Sequence, residues 1–286
     1  MSLAAAAIPP SECRRVCVAL ALMLGLLAAA PGLRSARAQV DPFEFEVYPY
    51  RTVGEGVAEL EWLNSYVPWG HQHGEIGTSA GTLPSNQMLR TSGELTYGLT
   101  DHVEAAGYLN LARPNAGEVQ YGGAKFHLRG NLFEQGELPV DIGWYVELES
   151  WPTPGIDTDP LELELKPILE KDIGRWSFIL NPIFEKPVFT GPDRNRGFEF
   201  GYANGVYYRW MPRISPGLEF YGGSGFIDGF LPVQTQQHYI FAVLWGELPW
   251  GGVEYNCGPG VGLTHGSDHV ITKCNLEIER FVGALL

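Results

Sequence analysis

Residues 160–171 read PLELELKPILEK, and their side chains alternate along the chain. Leu161, Leu163, Leu165 and Leu169 fall on one side, and Glu162, Glu164, Lys166 and Glu170 on the other. A period of two is that of a β-strand, whose successive side chains point to opposite faces. The same pattern recurs on both sides of this stretch. Val57–Val67 sets Ala58, Leu60, Trp62 and Tyr66 against Glu59 and Glu61. Gln87–Leu99 sets Leu89, Leu95, Tyr97 and Leu99 against Arg90 and Glu94. His102–Ala112 opposes its leucines to Glu104, and Val119–Leu132 opposes Phe126 and Leu128 to Lys125, His127 and Arg129. Val140–Trp151 opposes Ile142, Trp144, Val146 and Leu148 to Tyr145, Glu147 and Glu149. Further strands are expected over Arg175–Val188, Gly197–Arg209 with Glu199, and Ile214–Gly222 with Glu219. The last three are His238–Trp245, Gly252–Leu263 and Asp268–Phe281, the final one carrying Lys273, Asn275, Glu277 and Glu279 on one face.

These make about twelve strands. An even count, with short connections after the second, sixth and eighth strands and longer polar ones after the first, fifth, seventh and ninth, fits a bacterial membrane barrel. The predicted fold class is therefore all-β, a transmembrane antiparallel up-and-down barrel. A closed barrel leaves no backbone group unpaired in lipid. A water-soluble β-sandwich also alternates, but it accounts less well for wide, aromatic-rich faces on successive strands.

The compartment follows from the first 38 residues. Arg14 and Arg15 precede an apolar run, Val16 to Ala30, and Ala36-Arg37-Ala38 has the small-residue form of a cleavage site. An uncleaved anchor is the alternative, but the run is short for a span. The expected organisation is a signal peptide over 1–38, a periplasmic lead-in over 39–56 and a barrel over 57–286. The lead-in contains the alternating string FEFEVY, which also fits a segment tucked into the barrel. The signal carries four arginines and one glutamate, so a net charge of −14 becomes −17 after its removal. That balance argues against nucleic acid as a partner.

The charged faces hold the candidate lumen residues: Glu59, Glu61, Arg90, Glu94, Glu104, Lys125, Arg129, Glu147, Glu149, Glu162, Glu164, Lys166, Glu199, Glu219, Lys273, Glu277 and Glu279. Charges taken out of bulk water need partners or local water. Two readings stay open: an aqueous channel whose acid excess favours cations, or an ion-paired network filling the lumen.

Three smaller constellations carry chemistry in principle. Cys257 and Cys274 stand opposite each other if Thr264 pairs with Ser267 across a turn at His265-Gly266. They would form a structural disulfide in an oxidising compartment, or remain two free thiols. His71, His73 and Glu75 offer metal-ligand types along one extended stretch, although a solvated loop explains the same string. His265 and Ser267 are spaced as in outer-membrane lipid hydrolases, although turn chemistry accounts for Gly266-Ser267-Asp268. No catalytic residue, metal or cofactor is expected.

The strings FEFEVYPY, GVAELEW, YGLTDHVEAAGYL, YGGAKFHLRGNL, LELKPILEKDIGRWSF and GLTHGSD, spread over residues 43–268, resemble a group of Gram-negative outer-membrane barrels of the transporter type. That group is similar to the barrels associated with meta-cleavage phenol degradation. The resemblance implies an outer-membrane location and passage of small solutes, aromatic ones among them. It brings no catalytic residue. The chain departs from the pattern at its end, where Phe281 is followed by Val-Gly-Ala-Leu-Leu rather than closing on an aromatic residue. The expected function is a passive channel or substrate-selective pore. The alternatives are a non-conducting barrel that scaffolds a partner, and a lipid hydrolase. The expected partners are outer-membrane lipid, the barrel-assembly machinery and small solutes.

Overall fold

A computed structural model of the chain describes residues 40–72, 83–153, 159–189, 191, 193–250 and 252–281. The proposed signal peptide, His73 and Glu75 lie outside the described residues. Thirteen strand segments follow in order: β1 (Val57–Trp69), β2 (Leu89–Thr100), β3 (Val103–Arg113), β4 (Gln120–Asn131), β5 (Asp141–Ser150), β6 (Leu161–Leu165), β7 (Ile168–Ile173), β8 (Trp176–Pro187), β9 (Glu199–Tyr208), β10 (Ile214–Phe226), β11 (Gln237–Glu247), β12 (Val253–Gly262) and β13 (Val270–Phe281). No helix occurs among the described residues.

Apart from β6 and β7, which do not pair with each other, each strand pairs antiparallel with its sequence neighbours, and β13 returns to β1, with Leu60 opposite Ile278 and Trp62 opposite Leu276. The sheet is thereby closed. β6 and β7 are two halves of one stave, because both pair with β5 on one side and with β8 on the other. The barrel thus has twelve staves. The single sixth strand expected from the sequence is interrupted at Pro167, which has no N–H to give the ladder. The register continues across the gap, and the N–H of Lys166 still reaches the carbonyl of Tyr145 at 2.9 Å.

The wall is inverted relative to a water-soluble core. On β1, Leu60 and Trp62 are 56% and 58% exposed, whereas Glu59 and Glu61 are 8% and 7% exposed. Apolar side chains face outward on the other staves too, among them Leu95, Leu109, Phe126 and Leu148. Exposed aromatics gather at both ends, with Trp69, Tyr121, Phe189 and Phe230 at one and Phe133, Trp176, Trp210 and Trp250 at the other. An apolar band between aromatic girdles is the exterior that a bilayer requires. The connections 101–102 and 174–175 are two residues long. Gly174 serves the second at a φ of 62°, a conformation that costs glycine little. These connections share an end of the barrel with the start of β1, the end that faces the periplasm in such proteins.

Residues 40–56 form no periplasmic lead-in. They run through the lumen, from Val40 beside Gln237 at the long-loop end to Gly56 beside Gly98 at the short-turn end. The reason lies in their composition. Phe45 and Val47 are buried in an apolar cluster with Ile179, Tyr207, Tyr221, Phe241 and Ile271 of the wall. The ring of Phe45 meets Tyr221 edge-on at 5.3 Å and Phe241 at 5.2 Å between centroids. In the periplasm these side chains would remain in water, at a cost of roughly 1.5–3 kcal/mol each.

An extended segment with no strand neighbour must place its backbone polar groups elsewhere. The wall supplies side chains for that purpose. Asn181 accepts from the N–H of Tyr48 at 2.8 Å and donates to its carbonyl at 3.1 Å. Glu170 accepts from the N–H of Tyr50 at 2.7 Å, and Glu104 from that of Val53 at 2.6 Å. Lys273 donates to the carbonyl of Phe45 at 2.9 Å, and Ser65 to that of Pro42 at 3.0 Å. Pro42 and Pro49 have no N–H to satisfy.

Candidate functional site

The sequence-predicted lumen residues are brought inside the barrel. The side chains of Glu59, Glu61, Arg90, Glu94, Glu104, Lys125, Arg129, Glu147, Glu149, Glu162, Glu164, Lys166, Glu199, Glu219 and Lys273 are buried. Glu277 is half-buried on the same face. Glu279 stands opposite Glu59 in the register, and its side chain lies outside the described residues.

Most of the cations are committed to ion pairs. Lys125 contacts Asp41, Glu44 at 2.6 Å, and Glu147 and Glu149 at 3.1 Å each. Lys166 lies 2.8 Å from Glu44 and 3.0 Å from Glu164. Lys273 meets Glu219 at 2.5 Å, and Arg129 meets Glu104 at 2.5 Å. Of the two readings left open by the sequence, an ion-paired and filled lumen describes the upper part of the barrel, around Asp41, Glu44 and Phe45. Asp41, Glu44 and Glu46 were absent from the expected set. The signal was present in FEFEVY, since wall lysines facing inward require carboxylates from somewhere.

Towards the short-turn end the packing opens into a cavity of about 320 Å³. Its boundary includes nine carboxylate residues and three arginines, so the space is strongly acidic. Glu46 of the lumen segment, Glu59 and Glu61 of β1, Glu94 of β2 and Glu277 of β13 face it. Register explains part of this concentration. Glu61 stands directly opposite Glu94 on one side and Glu277 on the other, and Glu277 stands opposite Glu254. Like charges placed directly across strands oppose pairing, and each strand carries a glutamate to this row because of its own alternation. Near the mouth, Arg209 is paired with Asp172 at 2.8 Å.

The remaining constellations are placed as follows. Cys257 and Cys274 are opposite each other on β12 and β13, and their sulfurs are bonded. His71 donates its N–H to Ser85 at 2.9 Å. Ser267 is fully buried, and its hydroxyl accepts from the N–H of His238 at 2.7 Å and donates to the carbonyl of the same residue at 2.9 Å. Its further contact is Thr264 at 2.8 Å, whereas His265 is exposed. The hydroxyl thus closes a turn against β11.

No family model matches the chain, and no curated protein matches it. Among solved structures it is similar to the COG4313 outer membrane channel from Pseudomonas putida F1. The TM-score is 0.54 at 15% identity, over 82% of this chain and 99% of that one. The KdgM porin aligns at 8% identity and a TM-score of 0.45, over 77% of this chain and 97% of the other. The first of these likenesses places the chain, by fold, with the outer-membrane type of barrel.

Proposed function

We propose that this protein is a channel of the Gram-negative outer membrane that passes small solutes, favours cations, and is constricted at rest by its own 40–56 segment. The observation that carries the reading is the acidic cavity within a lipid-compatible barrel. It opens at the short-turn end and is bounded by a segment that the chain itself supplies. A ring of carboxylates in a confined space concentrates cations and repels anions. The fold shared with an outer membrane channel is in keeping with this role. The test is ion conductance of the refolded protein in a planar bilayer under a salt gradient. Discrete steps with a cation-selective reversal potential are expected. A correctly folded but silent barrel would overturn the reading.

The filled upper lumen favours one second reading, a non-conducting barrel that scaffolds a periplasmic or surface partner. It predicts silence both in the intact chain and after the segment is removed.

A further inference from the structure

Glu46, Glu61 and Glu94 each bring a carboxylate oxygen within 4.8 Å of the others. They come from three different places: the lumen segment, β1 and β2. Two other carboxylate triads exist in the lumen. In the one formed by Glu44, Glu147 and Glu164, every carboxylate pairs with Lys125 or Lys166. The one formed by Glu149, Glu162 and Glu185 has Lys125 against Glu149. No lysine or arginine pairs with Glu46, Glu61 or Glu94 among the described residues, and the nearby Arg129 is engaged by Glu104.

A second observation points to a ligand. Glu94 is 3% exposed, and its Oε1 accepts from Thr96 Oγ1 at 2.8 Å. Its other oxygen, Oε2, is buried with no hydrogen-bond partner among the described residues, and so is Oε2 of Glu46. A buried carboxylate oxygen without a donor loses its hydration and gains nothing in return. Here two such oxygens lie in one triad. A hard cation remedies this directly. Calcium takes six to eight oxygens at about 2.3–2.6 Å, so oxygens on opposite sides of it stand about twice that far apart. The spread of the triad fits that geometry. The adjoining cavity has room for the waters that would complete the shell. Magnesium is a poorer match, because it demands near-ideal octahedral geometry and gives up water reluctantly.

We infer that Glu46, Glu61 and Glu94 bind one calcium-class divalent cation that staples the lumen segment to the wall between β1 and β2. This inference deepens the proposed channel, since an ion there would hold the constricting segment in place. The binding itself does not depend on conduction.

The experiment is a calcium titration of the folded, chelator-stripped barrel in detergent micelles, followed by calorimetry. The calcium ion alone is the probe. One saturable site per chain is expected, with a dissociation constant of about 10⁻³ M or tighter, in the range of extracellular modules. Glu94→Gln and Glu61→Gln should each weaken it at least tenfold, and Glu137→Gln, on an exposed turn, should leave it unchanged. Both triad variants relieve like-charge repulsion and preserve volume, so folding should survive. Should either fail to fold, protease protection of residues 40–56 in the wild-type protein, with and without calcium, decides in its place: protection that rises with calcium supports the staple. Absence of saturable binding in the wild type, equal binding in Glu94→Gln, or protection indifferent to calcium would overturn it. A conducting barrel without the site overturns the ion alone, and a silent barrel with the site overturns the channel alone.

Discussion

Glu44 of the lumen segment lies 2.6 Å from Lys125 of β4 and 2.8 Å from Lys166, so one carboxylate bridges two staves through the interior. All three side chains are buried. Replacing Glu44 with Ala strands part of the lysine charge, although Lys125 keeps Asp41, Glu147 and Glu149. Breaking one partner out of a buried pair costs about 3–5 kcal/mol. The expected outcome is a lower urea midpoint for the refolded barrel and faster proteolysis within residues 40–56. An unchanged midpoint and unchanged cleavage would mean that the segment is held by its apolar contacts alone.

If the segment constricts the lumen, its removal should open it. A chain lacking residues 40–53 loses Phe45 and Val47, the inner side of the apolar cluster, together with Tyr48. Larger conductance steps than those of the intact protein are expected in the planar bilayer, with cation preference retained because Glu59, Glu61 and Glu94 remain on the wall. Silence in both chains would favour the scaffolding reading.

Asn181 serves the backbone of Tyr48 with both ends of its amide. An alanine there leaves one buried N–H and one buried carbonyl unpaired, at about 1–3 kcal/mol for each group. Asn181→Asp keeps the acceptor but not the donor, so its loss should be the smaller of the two if its charge is accommodated. Denaturant midpoints of the two variants check the order. Equal losses would show that the bond donated to the Tyr48 carbonyl, which both variants lack, carries the effect.

The wall was legible in the sequence because each stave states its own faces. Leu163 beside Glu164 needs no distant residue to be sorted outward and inward. The opposition of Cys257 and Cys274 was legible for a similar reason, since a short turn transmits register from one strand to the next. The lumen segment was harder. FEFEVY alternates as a wall strand does, and the alternation alone does not say whether its neighbours are strands or side chains. The prolines at 42 and 49, which cannot give N–H groups to a ladder, were the available hint. The meeting of Glu46 with Glu61 and Glu94 was not legible at all. It depends on the register across the long connection 70–88 and on how deep the segment sits, and neither is encoded locally.

The disulfide offers a test of stability separate from the lumen. Cys257 and Cys274 alternate with Asn256, Lys273 and Asn275, so they project from the outer side of β12 and β13. The crosslink spans a sequence separation of 17. In the chain-entropy account, a loop of about that size is worth roughly 3 kcal/mol through the unfolded state. Double replacement by serine should lower the unfolding free energy from urea titration of the refolded barrel by about that amount and leave conductance unchanged, because the pair faces away from the cavity. A change in ion selectivity would contradict that placement.

The outward face gives the sharpest check on membrane orientation. Leu109 is exposed on β3, and its neighbour Tyr108 is buried with its hydroxyl 2.6 Å from that of Tyr48. A lysine at 109 would sit in the apolar band, where a charge costs about 2–4 kcal/mol near the bilayer midplane and much less near the interfaces. The variant should fold less stably than wild type in lipid vesicles, with the deficit shrinking for a lysine placed at Leu99, close to the short-turn end. Equal stability of Leu109→Lys and wild type in vesicles would mean that this face meets water, and it would return the chain to the family of soluble β-folds.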